Sequence, residues 1–473
     1  MNKSLLRFAG ILSIVLLIAL QSCRRDPITD DPNARLAFSA DTVVFDTVFT
    51  TVGSATRQFK VYNRNSSTVN IGSIRLAGGS ASPFRINVDG VPLVSTGDIV
   101  LKGNDSIYVF VDVTVNPNNS TSPIMISDSI IFETNGNQQR VMLYAVGQDA
   151  YFHYYEVQTG NAIWPVDKPH VVYGYVIASN CSKLTIPAGA RVHMHRNAVL
   201  AADSCATLEI LGAHNNPVRV MGTRLETEYR EEPGQWGYIW LSTLSKNNII
   251  DWAEIKNGTI GVLSDSLGAS ANPTVRISNT TIRNMTLAGI FGRDSWIEGE
   301  NLVVQNCAEY CAALAYGGNY QFRHCTFGNY WNIGNRTTPS VLLNNWYKVD
   351  ETTIVRRNLS KADFENCIIY GDKDTEIGLD SNTTGGFQYE YRFRNCLIKT
   401  DYNLAPVATR FVNVTVNQDP QFVNISDFDL SLRNNSPARG LGDPAISAFV
   451  PFDLRNQLRA ADGVYDLGAY EYQ

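Results

Sequence analysis

The chain has no excess of basic charge. Its 39 Lys and Arg stand against 45 Asp and Glu, a net charge of −6, so no large cationic surface calls for nucleic acid as a partner. It lacks long stretches with the apolar period of an amphipathic helix, which leaves an all-β protein as the reading. Its sustained apolar run, residues 8–20, is too short to span a bilayer comfortably. Of its 8 cysteines one is Cys23, and the odd remainder excludes a complete disulfide framework. What is present in quantity is glycine (35) and aromatic residues (10%), in a chain of 473 residues that exceeds one ordinary domain.

The N-terminus reads as a targeting segment. Lys3 and Arg7 form a positive head, the apolar run follows, and the stretch closes on Leu20-Gln21-Ser22-Cys23. That closing tetrapeptide resembles a bacterial lipobox, with Gln21 departing from its commonest form. The resemblance implies a signal peptide over 1–22, acyl chains on Cys23 and a polar tether over 23–34. The membrane would then be a partner through the lipid on Cys23, and the location the cell envelope, at the outer membrane.

A short sentence of residues recurs between about 184 and 432. Aligned on one position, its copies give Trp252, Asn279, Asn301, His324, Asn366 and Asn395. Two residues earlier stand Ile250, Ile277, Gly299, Phe322, Phe364 and Phe393; one residue later, Ala253, Thr280, Leu302, Cys325, Cys367 and Cys396. Apolar residues alternate as in a strand, skip one step at the aligned position, and alternate again. A strand that shifts phase by one has turned a corner, and Asn suits that corner because it tolerates a left-handed backbone. Strand–corner–strand units at intervals mostly in the twenties predict a parallel β-solenoid over 148–440. Cys181 and Cys205 fall in successive coils as vertical neighbours. In-register neighbours are not ideally placed for a disulfide, so the sequence leaves their pairing open.

Residues 35–147 read as a separate β-sandwich, with short strands and turn signals at roughly ten-residue spacing. Ile107, Val109, Val111 and Val113 alternate with exposed partners. The run DTVVFDTVF, then FKVYNRN, then IYVFVDVTVNP resembles Hydin-like immunoglobulin-type domains, which bind or space. Residues 151–164 are too apolar for a free linker and are expected to cap the first coil. His193 and His195 lie two apart on one face of a strand, as a metal pair would; no third ligand is evident nearby, and they are expected to face solvent or sit at the rim.

PAGARVHMHRNAVL, RLETEYREEPGQWGYIWL and FRHCTFGNYWN resemble the right-handed parallel β-helix lipoproteins of Gram-negative envelopes, which have a pectate-lyase-like fold. Residues 441–473, with Asp453, Arg455, Asp466, Gly468 and Glu471, resemble their choice-of-anchor Q end segment, minus its usual glycine, and are expected to cap the coil. The resemblance implies fold and location and no activity.

Insertions at 264–272, 333–360 and 372–388 are expected to gather on one face, often the binding face of a solenoid. The rim so formed would hold Tyr330, Trp331, Arg336, Trp346 and Tyr347 as glycan contacts, or as rings that pin the insertion to the coil. No cofactor is implied. The one candidate cation loop, Asp372, Asp374, Glu376 and Asp380, would suit Ca²⁺ through carboxylate oxygens, or is a solvated acidic turn. The loop at 226–232 adds Glu226, Glu228, Tyr229, Arg230 and Glu231. Asn279-Thr280-Thr281 lacks the acid a galacturonase-type set needs, and no Gly-His-Gly occurs, so no catalytic residue is assigned. The expected function is a non-catalytic, envelope-anchored surface protein that contacts polysaccharide or another surface protein. The alternative is a lyase or glycoside hydrolase with a non-standard site.

Overall fold

All six aligned residues do turn the chain in the left-handed conformation: Trp252, Asn279, Asn301, His324, Asn366 and Asn395 have φ between 48° and 53°. Asn413, at φ 53°, is a seventh copy. The computed structural model describes residues 27–93, 95–266 and 271–472, so the proposed signal peptide and Cys23 lie outside the described residues. Two units divide the chain at Asp149 and Ala150.

The first unit is a β-sandwich of a five-stranded and a six-stranded sheet. Strand Ser106–Val113 lies inside the first sheet and buries Ile107, Val109, Val111 and Val113, the alternation seen in the sequence. Strand Val69–Leu76, which sequence reading passed over, pairs with Ile124–Thr134 in the second sheet.

The second unit is a right-handed parallel β-helix with three sheets. Sheet A contains Arg191–Met194, Val218–Gly222, Ala253–Lys256, Thr281–Met285, Val303–Cys307, Thr326–Asn329 and Ile368–Gly371. Sheet B follows with Val199–Ala202, Trp236–Leu241, Gly258–Asp265, the first halves of two long strands (Ala288–Glu300 and Tyr310–Arg323), Val341–Asn344 and Ile377–Asp380. Sheet C takes Lys183–Pro187, Thr207–Leu211, Asn248–Asp251, Val275–Ser278, the second halves of the same two strands, Leu359–Glu365 and Arg392–Arg394. The chain visits C, A and B in turn, and the aligned Asn corner joins C to A.

Parallel in-register stacking puts like over like inside the coil. Phe322, Phe364, Phe393 and Phe411 form one column, with neighbouring ring centroids 5.2, 4.9 and 5.1 Å apart. Gly299 heads that column because a Cβ there would stand 2.5 Å from the Phe322 ring. Cys325, Cys367 and Cys396 are buried free thiols in the adjacent column. Amide side chains also stack along the corners: Asn301 donates to Asn279 at 3.0 Å and Asn306 to Asn284 at 2.7 Å.

Cys181 and Cys205 are joined by a disulfide with Cα atoms 4.5 Å apart. Both occupy a turn at the B-to-C corner with φ of 56° and 62°, so they escape the side-chain directions that parallel strands impose. The first coil is closed by a ring stack, with Trp164 against His170 at 4.3 Å and His153 at 4.6 Å.

The chain end does not cap the coil as expected. Phe422, Leu430 and Leu467 pack on Val303, Ile368 and Leu397, which point outward from sheet A. The last coil is met instead by Leu404 and Val407. Within the end segment, the buried cation is Arg459, not Arg455. It donates to Glu471 at 3.1 Å and to Asn301 at 2.7 Å, whereas Arg455 lies half-exposed 3.5 Å from Asp429. Asn456 has φ 59°, so it adopts the left-handed conformation for which glycine is the usual residue.

Candidate functional site

The insertions leave the coil along both edges of sheet B, not at one edge. Those at 330–340 and 372–376 lie between sheets A and B, as does the 226–232 loop; those at 345–358 and 381–391 lie between B and C. The expected rim is therefore split into two groups.

The A-to-B group is a structural knot. Arg336 is buried, which corrects its placement as a glycan contact. Its guanidinium donates to both oxygens of Glu376, at 2.6 and 2.8 Å, to Asp372, and to the carbonyls of Asn329 and Thr338 at 2.9 and 2.8 Å. Burial works against its charge, but Glu376 and Asp372 outweigh burial and hold Arg336 above its ordinary range. Burial likewise opposes the charge of Asp372, and Arg336 overcomes it, so that carboxyl sits below its usual range. Glu376 also accepts from the backbone of Ser340 and Lys373, at 2.8 and 2.9 Å.

The structure does not bring together the four carboxylates on which the Ca²⁺ expectation rested. Glu376 and Asp372 are neutralised by an arginine, Asp374 stays exposed on the turn, and Asp380 points to the other group. Among the described residues no three His, Cys, Asp or Glu side chains are grouped to hold a metal. Tyr330 is half-buried against Phe422, so it pins its loop; Trp331 stays half-buried on the same loop. In the 226–232 loop, Glu231 ties Lys256 and Arg283 to the loop, at 2.6 and 3.1 Å.

The B-to-C group does face outward. Trp346 and Tyr347 open the hairpin formed by Trp346–Lys348 and Ile354–Arg356. The Trp346 indole donates to Asp380 at 2.9 Å, Asn344 donates to the same carboxylate at 2.7 Å, and Tyr347 packs on Tyr316 at 4.5 Å.

Trp346 is one end of a stripe that sequence reading missed. On the outer face of sheet B, Val199, Tyr238, Ile260, Ala288 and Tyr310 stand in one column. Ala201, Trp240, Leu263, Phe291, Ala313 and Leu342 stand in the next. Strands of a solenoid interior alternate in the same way on both faces, so the signal lay only in the unusual bulk of outward Tyr238 and Trp240. Two depressions break the stripe. One of about 290 Å³ is lined by Phe291, Tyr310, Tyr316, Leu342 and Trp346. The other, of about 530 Å³, lies at the first coils between Tyr155, Tyr173, Tyr175, Tyr238 and Trp240. Between them Asp265 accepts from the Trp240 indole at 2.8 Å and from Arg293 at 2.6 and 2.8 Å.

Other constellations that suggest chemistry are sealed. His324 Nε2 lies 2.9 Å from the Ser447 hydroxyl, but both side chains are buried, and burial holds His324 well below its usual range. His193 is buried beside the Gly222 carbonyl at 3.2 Å, not at a solvent-facing rim; burial lowers it to about 4. His195 is exposed and packs against Tyr173 at 4.4 Å, so the two histidines do not converge.

No family model and no curated protein matches the chain. Among solved structures, it is similar to the catalytic unit of a GH87 α-1,3-glucanase from Streptomyces thermodiastaticus, at 10% identity and a TM-score of 0.23 over 76% of this chain and 89% of that one. A family 123 glycoside hydrolase from Clostridium perfringens aligns at 12% identity and a TM-score of 0.18 over 25% of this chain, which spans about a quarter (26%) of that enzyme. The CooA pilin subunit of enterotoxigenic Escherichia coli aligns at 11% identity and a TM-score of 0.18, over 24% of this chain and 96% of that one. Likenesses this distant assign no activity.

Proposed function

We propose that the chain is an envelope-anchored surface protein that lays a polysaccharide along the outer face of sheet B. The observation that carries this reading is the pair of ring-lined depressions at the two ends of the stripe, Tyr173, Tyr175, Tyr238 and Trp240 at one and Phe291, Tyr310 and Trp346 at the other; between them Ile260, Leu263 and Ala288 are buried. Flat rings present faces that stack against sugar C–H groups. Two carboxylates beside the stripe are committed to rings, and Glu309 is the one carboxylate among the residues lining the two depressions, which favours holding over turnover. Asp265 and Asp380 are each engaged by an indole N–H and a second donor, an arrangement that fixes rings. Glycoside hydrolysis needs one carboxyl group free to give a proton and another to act on the opposite face.

Binding of full-length protein to a panel of purified polysaccharides, followed by tryptophan fluorescence, tests the reading. Trp240→Ala and Trp346→Ala are expected to abolish the fluorescence response while leaving the melting temperature within a few degrees of the parent. Release of reducing ends or unsaturated uronates from any member of the panel would overturn the non-catalytic reading. Anchoring through Cys23 is tested separately: Cys23→Ala is expected to move the protein from the membrane to the soluble fraction.

A further inference from the structure

The two depressions on sheet B differ in charge. The one near Trp346 is lined by a single charged side chain, Glu309. The one at the first coils contains Arg196 and no carboxylate. Arg196 is exposed, and among the described residues it meets no acidic partner. His195 beside it is held below its ordinary range by burial, so Arg196 supplies the fixed positive charge of the cleft.

One wall of the cleft is set by a corner of the coil. Tyr155 has φ 49°, the left-handed conformation that Gly174 (φ 71°) and Asn197 (φ 59°) repeat at the same corner of the next two coils, and the residue is 67% exposed. Its ring fits only because residue 174 is glycine: a Cβ at Gly174 would lie 2.3 Å from it. Tyr155 then stands edge-on to Tyr175 at 5.4 Å, which makes one wall of the cleft.

We infer that the first coils of sheet B bind an anionic sugar unit, its ring against the tyrosines and its carboxylate or sulfate on Arg196. A guanidinium presents a planar fork that matches either group through two parallel hydrogen bonds. The inference rests on sheet B being the glycan face, and it adds a direction. Four rungs at the interstrand spacing, about 19 Å, separate Arg196 from Glu309, so an acidic group has one favoured end.

The test titrates the full-length protein with tetragalacturonate, a sulfated and uronate-free neocarratetraose, and neutral cello-, manno- and laminari-tetraose. At least one anionic probe is expected to bind ten-fold or more tightly than every neutral one, and the better of the two anionic probes identifies the group as carboxylate or sulfate. Arg196→Gln is expected to remove that preference with an unchanged melting curve, since the side chain is exposed. An anionic preference that survives in Arg196→Gln, or a parent protein that binds neutral and anionic probes alike, overturns this inference and leaves the glycan face standing. If no tetrasaccharide binds, the glycan face fails and this inference with it.

Discussion

Arg336 and Glu376 meet through two hydrogen bonds, Nη1 to Oε2 at 2.8 Å and Nη2 to Oε1 at 2.6 Å, and neither side chain reaches solvent. They stand 40 residues apart on two insertions and fasten both to the A-to-B edge. Removing one partner strands a buried charge, so Arg336→Ala or Glu376→Ala is expected to cost about 3–5 kcal/mol in urea unfolding. Replacing both with methionine is expected to cost less than either single change. Singles that lose under about 1 kcal/mol would mean the pair is wet.

The phenylalanine column gives a second expectation. Phe364→Ala or Phe393→Ala opens a cavity between stacked rings and is expected to cost about 3–5 kcal/mol. Arg392, half-exposed and 3.2 Å from Asp363, is the proper outward control and is expected to cost under about 1 kcal/mol as alanine. Arg394, its near neighbour, is a worse control because it pairs with the buried Glu365 at 3.0 Å. Equal losses at Phe364 and Arg392 would place the register one residue off.

Acid is expected to loosen the coil. Burial lowers both His170 and His193 to about 4, against about 6.5 for a free imidazole. Between those values the unfolded chain binds more protons, so their stabilisation is full above about pH 6.5 and is lost as pH falls through 4. Each shift corresponds to at most about 3 kcal/mol. Glu471 works in the opposite sense. Burial, with Asp466 beside it, raises its carboxyl to about 8, so its contribution is full below about 4.5 and is lost as pH rises through 8. Urea midpoints measured from pH 4 to 9 should trace a dome, and His193→Asn should flatten its acid limb. An unchanged acid limb in that variant would remove His193 from the account.

The end segment is held at a corner of the coil by Arg459, which reaches Asn301 and the Gly468 carbonyl. Arg459→Ala is expected to free residues 441–472 to limited proteolysis while the coil itself stays resistant. Gly468→Ala should act alike, because a Cβ there would stand 2.5 Å from the Thr326 hydroxyl. Uniform digestion of the whole chain would show that the segment and the coil unfold together.

The corners were legible because a phase shift of one residue in an alternating strand has few physical causes, and Asn names the commonest. The interior columns followed from it, since stacking repeats the same position. Arg336 was misread because a charged residue on an insertion is ordinarily solvated, and only the fold brings Glu376 back over it. Arg459 was passed over for Arg455 for a related reason: four residues apart in an irregular segment, they differ only in which one meets a buried carboxylate. The stripe on sheet B escaped notice because outward Tyr238 and Trp240 alternate with inward Ile239 and Leu241 in a run apolar on both phases.

The Cys181–Cys205 bridge gives the coil a mechanical clasp. Rungs contact only their neighbours, so a stretched solenoid peels from its ends. The bridge shuts a loop of 24 residues inside the first rungs, and a pull on the chain cannot pay out that length while the bond is intact. Oxidised and reduced molecules should therefore differ in extended length by about 80 Å, at about 3.4 Å per residue. The oxidised coil keeps the rung between Cys181 and Cys205 closed after the rungs on either side of it have peeled away.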